Sequence, residues 1–464
     1  MNSNLTGRVR KRNDEIRKNV GDAMTKRIAF YTLGCKVNQY ETEKLRERFA
    51  ALGFSVVPET EAADVYVINS CTVTGIADRK SRNFARRAKK LNQDALVVMA
   101  GCYAETSAAE LAHMPEIDML AGTFDKESLP EKVSGLLGRN AAAARAEPPG
   151  AGEGKIPGNA ASRTRAYLKI EDGCDRYCAY CVIPYARGAV RSRPMSELLD
   201  EAGALLSAGY KEIILTGVNA ALYDDGGRDL IALINAIAAL PGDFRLRLSS
   251  LEPTTVNADY ARRLIQTERL CPHLHLSLQS GSDAVLAAMG RNYTMRDYRD
   301  ITRVLKERDP LFGLTTDIIV GFPGETESDF QRSVEAVREI GFSHVHVFRY
   351  SKRPGTRAAE MPHQIPEFIK RQRSDLLMAE AAAAAAAYRA KCRGSVRQAL
   401  VLGAAPDSVS GAAVEFSASA ARDTARPSSP AGANRLLRAL TDIGVETNSA
   451  GSAELANTFI SVIL

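Results

Sequence analysis

Three apolar segments near the N-terminal end of the chain each run straight into a cysteine. RIAFYTL leads to Leu33-Gly34-Cys35, DVYVINS to Asn69-Ser70-Cys71, and ALVVMAG to Ala100-Gly101-Cys102. Helical segments, YETEKLRERFAAL and DRKSRNFARRAKKL, separate them, and a short helix around SAAELAH precedes a further strand, IDMLAG. Apolar strands alternating with helices specify a parallel α/β sheet. Ligands of such sheets gather at the carboxyl ends of the strands, so cysteines about thirty residues apart in sequence can converge in space. The plainer alternative is three unrelated small residues at strand ends.

The same alternation resumes after residue 164. Six strands are expected, AYLKIE, EIILTG, RLRLSS, HLHLSL, LTTDIIVG and HVHVFRYS, separated by helices such as MSELLDEAGALLSAG, LIALINAIAAL, SDAVLAAMG, MRDYRDITRVLKE and SDFQRSVEAVREI. Six βα units suggest an incomplete barrel whose chemistry sits on loops at the strand carboxyl ends. The fold class is therefore α/β, with an N-terminal parallel α/β domain and a central partial (β/α)6 barrel.

At 464 residues the chain has room for roughly three domains. Residues 1–26 are charged and lack an apolar period, and are expected to be a disordered extension or the product of a start upstream of Met24. Residues 27–136 form the first α/β domain, 137–164 an Ala/Gly/Pro/Arg-rich linker, and 165–393 the barrel with a closing helix through an alanine run. Residues 394–464 are a weakly patterned tail with possible strands QALVLG, AAVEFSA and FISVIL.

No apolar run approaches the ~20 residues of a membrane span, and the N-terminal stretch has no apolar core of a signal peptide. A cytoplasmic protein with no membrane partner is expected. Eight cysteines in a reducing compartment argue for metal binding or catalysis rather than disulfides. For Cys271 and Cys392, isolated in sequence, a small buried hydrophobe or idle thiol is the plainer reading. A formal charge of +6 is weak support for a polyanionic partner.

Directly after the first barrel strand, GCDRYCAYC places Cys174, Cys178 and Cys181 in one loop. Three thiolates on a Cys-x3-Cys-x2-Cys loop can bind three corners of a cubic iron-sulfur cluster and leave one iron without a protein ligand. A structural zinc site would close its shell with a fourth Cys or His, and the nearest histidines, His113 and His273, are far off in sequence. Other loops at strand ends carry Asn219, Glu252, Gln279, Gly321 and Glu325. Glycine permits close backbone approach, and Asn, Gln and Glu can hydrogen-bond ribose, amino or carboxylate groups. The glycines equally suit turns, and Glu325 a cap of the following helix.

KIEDGCDRYCAYCVIPYARG resembles the cluster loop of radical S-adenosylmethionine enzymes, including the aromatic Tyr180 before the third cysteine. TLGCKVNQYETE, INSCTVT and AGCYAE resemble the N-terminal domain of methylthiotransferases, a family of that superfamily, and with RLRLSSLEP, HLHLSLQSGSD, TTDIIVGFPGET and HVFRYSKRPGT the likeness spans roughly 27–385. The resemblance implies two 4Fe-4S clusters and S-adenosylmethionine as cofactors. Cys174, Cys178 and Cys181 would hold the radical-generating cluster, and Cys35, Cys71 and Cys102 an auxiliary one. S-adenosylmethionine would serve as source of a 5′-deoxyadenosyl radical and as methyl donor, with Tyr180, Asn219, Glu252, Gln279, Gly321 and Glu325 near it.

Lys36-Val37-Asn38 and Tyr40-Glu41-Thr42 most resemble the branch acting on threonylcarbamoyladenosine in tRNA, at carbon 2 of the adenine next to the anticodon. The other branches modify isopentenyladenosine in tRNA or an aspartate of a ribosomal protein. Implied partners are the tRNA anticodon loop, an electron donor such as a flavodoxin-type protein, and a sulfur source. A different class of function, a non-catalytic zinc or RNA-binding protein, also fits cysteines and basic residues alone.

After Cys71, Arg79, Arg82, Arg86 and Lys90 recur at steps of three and four and share one helix face, opposite Phe84, Ala88 and Leu91. The stripe is either a solvated face or a dock for RNA phosphates with the base unstacked into the active site. Arg187, Arg191 and Arg193 either contact RNA or shape the cofactor pocket. The resemblance further implies a small RNA-binding, TRAM-like β-barrel at the C-terminal end. Residues 402–440 depart from that pattern, being rich in Ala and Ser with few cations.

Overall fold

A computed structural model describes residues 25–137, 164–404, 435–451 and 455–464. Residues 1–24 of the expected extension, most of the linker and the possible strand AAVEFSA lie outside them. The chain divides into two units: residues 1–160 with 181–189, and residues 161–180 with 190–464.

The first unit is built on a parallel sheet of β1 (Arg27–Thr32), β2 (Ser55–Val57), β3 (Val65–Ser70), β4 (Leu96–Gly101) and β5 (Met119–Ala121), in the order β2-β1-β3-β4-β5. Its helices are α1 (Lys36–Ala51), α2 (Gly75–Leu91), α3 (Cys102–Thr106), α4 (Ala108–Leu111), α5 (Leu129–Leu136) and α6 (Ile183–Arg187). Every residue of β3 and β4 is buried, which is why these strands are continuously apolar instead of alternating. Ile28, Phe30, Val65, Val67 and Val98 pack on one side with Leu45, Phe49 and Val133 of α1 and α5. Tyr66, Ile68, Val97 and Met99 pack on the other with Phe84, Ala85 and Ala88 of α2. Helices thus cover both faces, and the loops at the strand carboxyl ends carry the three cysteines.

In the second unit β6 (Arg165–Lys169), β9 (Glu212–Thr216) and β12 (Arg245–Leu248) pair in parallel, as do β13 (Ser250–Leu251), β14 (His273–Leu276), β15 (Gly313–Val320) and β16 (His344–Arg349). Ser249 separates β12 from β13, and a bridge from Leu246 to Leu270 carries the pairing onward. The six expected strands form the six-stranded partial barrel, with two-stranded pairings of β7 (Glu171–Asp172) with β8 (Arg191–Ser192) and β10 (Asp224–Asp225) with β11 (Arg228–Asp229) at its loops.

The outer layer holds α7 (Met195–Ser207), α8 (Leu230–Ala238), α9 (Ala258–Leu264), α10 (Asp283–Ala288), α11 (Met295–Arg308), α12 (Glu327–Ile340), α13 (Arg357–Glu360) and α14 (Glu367–Cys392). Helix α9 was not expected, because ADYARRL offers only two buried apolar positions, Ala261 and Leu264. Thr326, not Glu325, caps α12, through a reciprocal pair of bonds with Asp329.

The tail adds an antiparallel sheet of β17 (Val396–Ala404), β18 (Arg435–Thr441), β19 (Glu446–Gly451) and β20 (Phe459–Ile463), ordered β19-β18-β17-β20. It docks on the amino ends of the barrel strands. Arg245 donates to the Leu440 carbonyl at 2.8 Å and Arg247 to that of Thr441 at 3.0 Å, while both hold the buried Glu212. Burial pushes the Glu212 carboxyl up, but Arg247 and Arg245 more than offset it and bring it down to about 2. The far, carboxyl-end side of the barrel is left for chemistry.

Candidate active site

Cys35 is the N-cap of α1 and Cys102 the first residue of α3, each one residue beyond a positive-φ glycine. At Gly34 a side chain is excluded twice over: φ is +102°, and a Cβ would lie 2.8 Å from Cys71 Sγ. Asn38 Nδ2 donates to the carbonyls of Leu33 and Ser70 at 2.7 and 3.0 Å, and Asn69 Nδ2 to the Asn38 carbonyl at 2.8 Å. Ser70 Oγ donates to the Ala100 carbonyl at 2.6 Å. These bonds tie the ends of β1, β3 and β4 together and so fix the three cysteine-bearing turns against each other.

Burial shifts Cys71 and Cys102. Burial, with smaller contributions from Cys35 and Cys102, pushes Cys71 up to about 12. Cys102 is likewise raised by burial, with Arg187 and Lys126 acting in the opposite direction. Such thiols give up their protons to a metal centre rather than to water. Three thiolates are the set that a cubic iron-sulfur cluster with one open iron takes, whereas a structural zinc site takes four ligands. The donor set fits a polynuclear iron-sulfur cluster better than a single ion.

In the second unit, Cys174 and Cys178 sit on a loop held as if it were an added strand. Ala179 N donates to the Met289 carbonyl and Ala358 N to that of Ala179, both at 2.8 Å. Burial pushes Cys174 up to about 11 and raises Cys178, whose thiol Arg291 pulls the other way. Glu252 is the hub beneath them. Its carboxylate lies 3.0 Å from Arg176 Nε, 2.9 Å from Arg291 Nη1 and 3.2 Å from Asn219 Nδ2. Arg291 also donates to Tyr180 Oη at 2.6 Å. Tyr180, Asn219 and Glu252 therefore converge with Cys174 and Cys178.

Buried polar atoms remain at this end of the barrel: Thr216 Oγ1, Asn219 Oδ1 and Ser249 Oγ have no hydrogen-bond partner. They follow or end β9 and β12, and leaving such atoms unsatisfied costs ~1–3 kcal/mol each. This is the fit expected of a polar cofactor. Gln279, after β14, holds a left-handed backbone (φ +68°) with both of its main-chain bonds made to β15.

Gly321 and Glu325 also contact α14. Glu325 accepts from Gly321 N at 2.7 Å and from Arg373 of α14 at 2.6 Å, and a Cβ on Gly321 would strike Lys370. Both bonds fall on Oε2 and brace the loop against α14, while the buried Glu325 Oε1 has no hydrogen-bond partner. The basic residues after the cluster loop are also engaged: Arg187 is fully buried, and Arg193 pairs with Glu201 at 2.8 Å. Arg191 is exposed, 3.8 Å from Asp172.

The helical stripe on α2 is mixed. Arg82 pairs with Glu110 at 3.1 Å and Arg86 with Glu116 at 3.6 Å. Arg79 and Lys90 are exposed and make no ion pair among the described residues. The acids that neutralise the middle of the stripe come from α4 and the loop after it, out of reach of a sequence reading.

Comparison with known proteins decides the family. Residues 168–337 match the model of the Radical SAM superfamily, and residues 27–122 that of the Uncharacterized protein family UPF0004. A threonylcarbamoyladenosine tRNA methylthiotransferase of Thermotoga maritima is 41% identical over 377 residues, 81% of this chain and 86% of that protein. One from Bacillus subtilis is 40% identical over 365 residues, 76% and 79% of the two chains. The chain belongs to the methylthiotransferase family of radical S-adenosylmethionine enzymes.

The fold of this methylthiotransferase also resembles a radical S-adenosylmethionine methyltransferase, TsrM, from Kitasatospora setae, with a TM-score of 0.52 and 17% identity over 72% of this chain and 77% of that one. As a member of its family the methylthiotransferase uses S-adenosylmethionine and two 4Fe-4S clusters. No helix among its described residues is long and apolar enough to cross a membrane. Sequence reading missed Glu41, Lys126, Arg176 and Arg291 as parts of the site. Arg176, inside GCDRYC, carried the one local signal: a charged residue between two ligand cysteines.

Proposed function

We propose that this enzyme is a tRNA methylthiotransferase that inserts a methylthio group at carbon 2 of threonylcarbamoyladenosine next to the anticodon. What carries the reading is the 41% identity over 86% of a relative bearing that name, in a chain that holds both cysteine triads. Cys174, Cys178 and Cys181 hold the radical-generating cluster, and Cys35, Cys71 and Cys102 the auxiliary cluster. When bound, these groups supply the electron that opens S-adenosylmethionine and the site from which sulfur is delivered.

The protein's own part is placement. Glu252 clamps the cluster loop through Arg176 and Arg291. Asn219 and the unsatisfied hydroxyls of Thr216 and Ser249 bind the polar parts of S-adenosylmethionine, beside Tyr180 and Gln279. Arg79 and Lys90 meet phosphates of the anticodon stem-loop. The partners are tRNA, a flavodoxin-type electron donor and a sulfur source, and the enzyme works in the cytoplasm.

Mass spectrometry of tRNA nucleosides from a strain lacking the gene tests the reading. The methylthio form of threonylcarbamoyladenosine should vanish and its precursor accumulate. Undiminished product in a strain with no second such enzyme would refute the substrate.

A further inference from the structure

Four of the chain's six histidines stand in two His-x-His pairs, His273-Leu274-His275 on β14 and His344-Val345-His346 on β16. A strand repeats every two residues, so both members of a pair face one side. Strand β15 runs between them in a register that sets Thr315 against His275 and against His344, and Asp317 against His346. The intervening Leu274, Leu276, Leu314, Ile318 and Val345 pack into the core with Tyr298 and Ile301 of α11 and Val334 and Val337 of α12. The histidines and Asp317 therefore occupy the opposite face, the inner face of the partial barrel.

One nitrogen of His275, one of His346 and a carboxylate oxygen of Asp317 all lie within 4.8 Å of one another. Among the described residues no other trio of His, Cys, Asp or Glu does so. His275 Nδ1 meets Thr315 Oγ1 at 3.0 Å. With its proton donated there, Nε2 presents a lone pair toward Asp317 Oδ2, 3.2 Å away. That nitrogen is buried, and in this tautomer it has no proton to give Asp317. Two electron-rich atoms facing each other at this distance want a cation between them. A second-shell bond from the far imidazole nitrogen is the usual companion of a metal-bound histidine, here the Thr315 contact of His275; His346 Nδ1 lies 3.3 Å from His344 Nε2.

We propose that His275, Asp317 and His346 bind one divalent transition-metal ion of the zinc or iron(II) class. Two imidazoles and one carboxylate suit such ions and leave coordination positions open. His275 is buried, Asp317 half-buried and His346 exposed, so the open side is that of His346. The site uses no cysteine and is independent of the cluster ligands, and it stands or falls separately from the tRNA substrate.

The test is metal analysis of the full-length, cluster-reconstituted protein equilibrated anaerobically with Co(II), combined with X-ray absorption at the cobalt edge. One cobalt per chain beyond the iron complement, with a nitrogen and oxygen shell, is expected. His346→Ala, at an exposed position, and Asp317→Asn should abolish it at unchanged iron content. Thr315→Val, a positioning change, should weaken cobalt binding roughly 10- to 100-fold. No bound cobalt, a sulfur-containing shell, or undiminished cobalt in His346→Ala would overturn the assignment.

Discussion

Arg187 donates to Glu41 at 2.9 Å across 146 positions of sequence, with the arginine side chain 1% exposed. Lys126 grips the other oxygen of the same carboxylate at 2.5 Å, and Asn38 Oδ1 accepts a second guanidinium bond at 2.6 Å. Within the first unit, α6 is thereby fastened to α1 and to the segment before α5. Breaking a buried pair costs ~3–5 kcal/mol, because one charge is left behind. With Lys126 still holding Glu41, Arg187→Met should fall at the low end. Urea unfolding would read it as a lowered midpoint, and an unmoved midpoint would show that Lys126 alone suffices.

Iron content separates the two triads. Anaerobically reconstituted protein should hold about eight irons per chain, and about four when either triad is replaced by alanine. Gly34→Ala offers a subtler probe: its Cβ would press on Cys71 Sγ, 2.8 Å away, and its backbone would be strained as well. That variant should also fall to about four irons with all six cysteines intact. Full loading would mean the turn can relax around the added methyl.

The thiols predict a pH profile for the metal-free protein. Burial holds Cys71 protonated up to about 12 and Cys174 up to about 11, so at pH 8 the thiolate fraction of Cys71 is about a thousandfold below that of an ordinary cysteine. Raised acid pKa values mean that reactivity climbs with pH, about tenfold per unit between 8 and 10. Peptide mapping after iodoacetamide labelling should find the exposed Cys35 modified well before Cys71. Equal labelling at pH 8 would contradict the buried environment.

The strands were legible because apolar runs of five or six residues ending in cysteine or glycine have few other ways to be read. The six barrel strands and the long α14 appear where the pattern places them. Strands β18 and β19 were missed, since RLLRALT has a helical spacing of leucines and ETNSAG has no apolar alternation; each is fixed by pairing with its neighbour. The cysteine positions could be read from local spacing. Glu41 with Arg187, Glu252 with Arg291, and His275 with Asp317 and His346 could not, because those groups meet only once the strands are in register. Glu325 adds a contact of the same kind: one oxygen of its carboxylate is held by Arg373 of a helix 48 residues on.

The stripe on α2 makes a differential prediction about RNA. A cation already paired with a carboxylate releases few counterions from tRNA, whereas an unpaired one adds to the salt dependence of binding. Arg79→Glu and Lys90→Glu should weaken tRNA binding and lower the slope of log K against log salt, by roughly 0.7 to 0.9 for each phosphate no longer neutralised. Arg82→Gln and Arg86→Gln, removing side chains held by Glu110 and Glu116, should change that slope by less. Filter binding across a salt series would read both. If all four substitutions lowered the slope equally, the acids would have to release their arginines on binding, and the stripe would act as one continuous surface. If none did, α2 is a solvated face and the phosphates dock elsewhere.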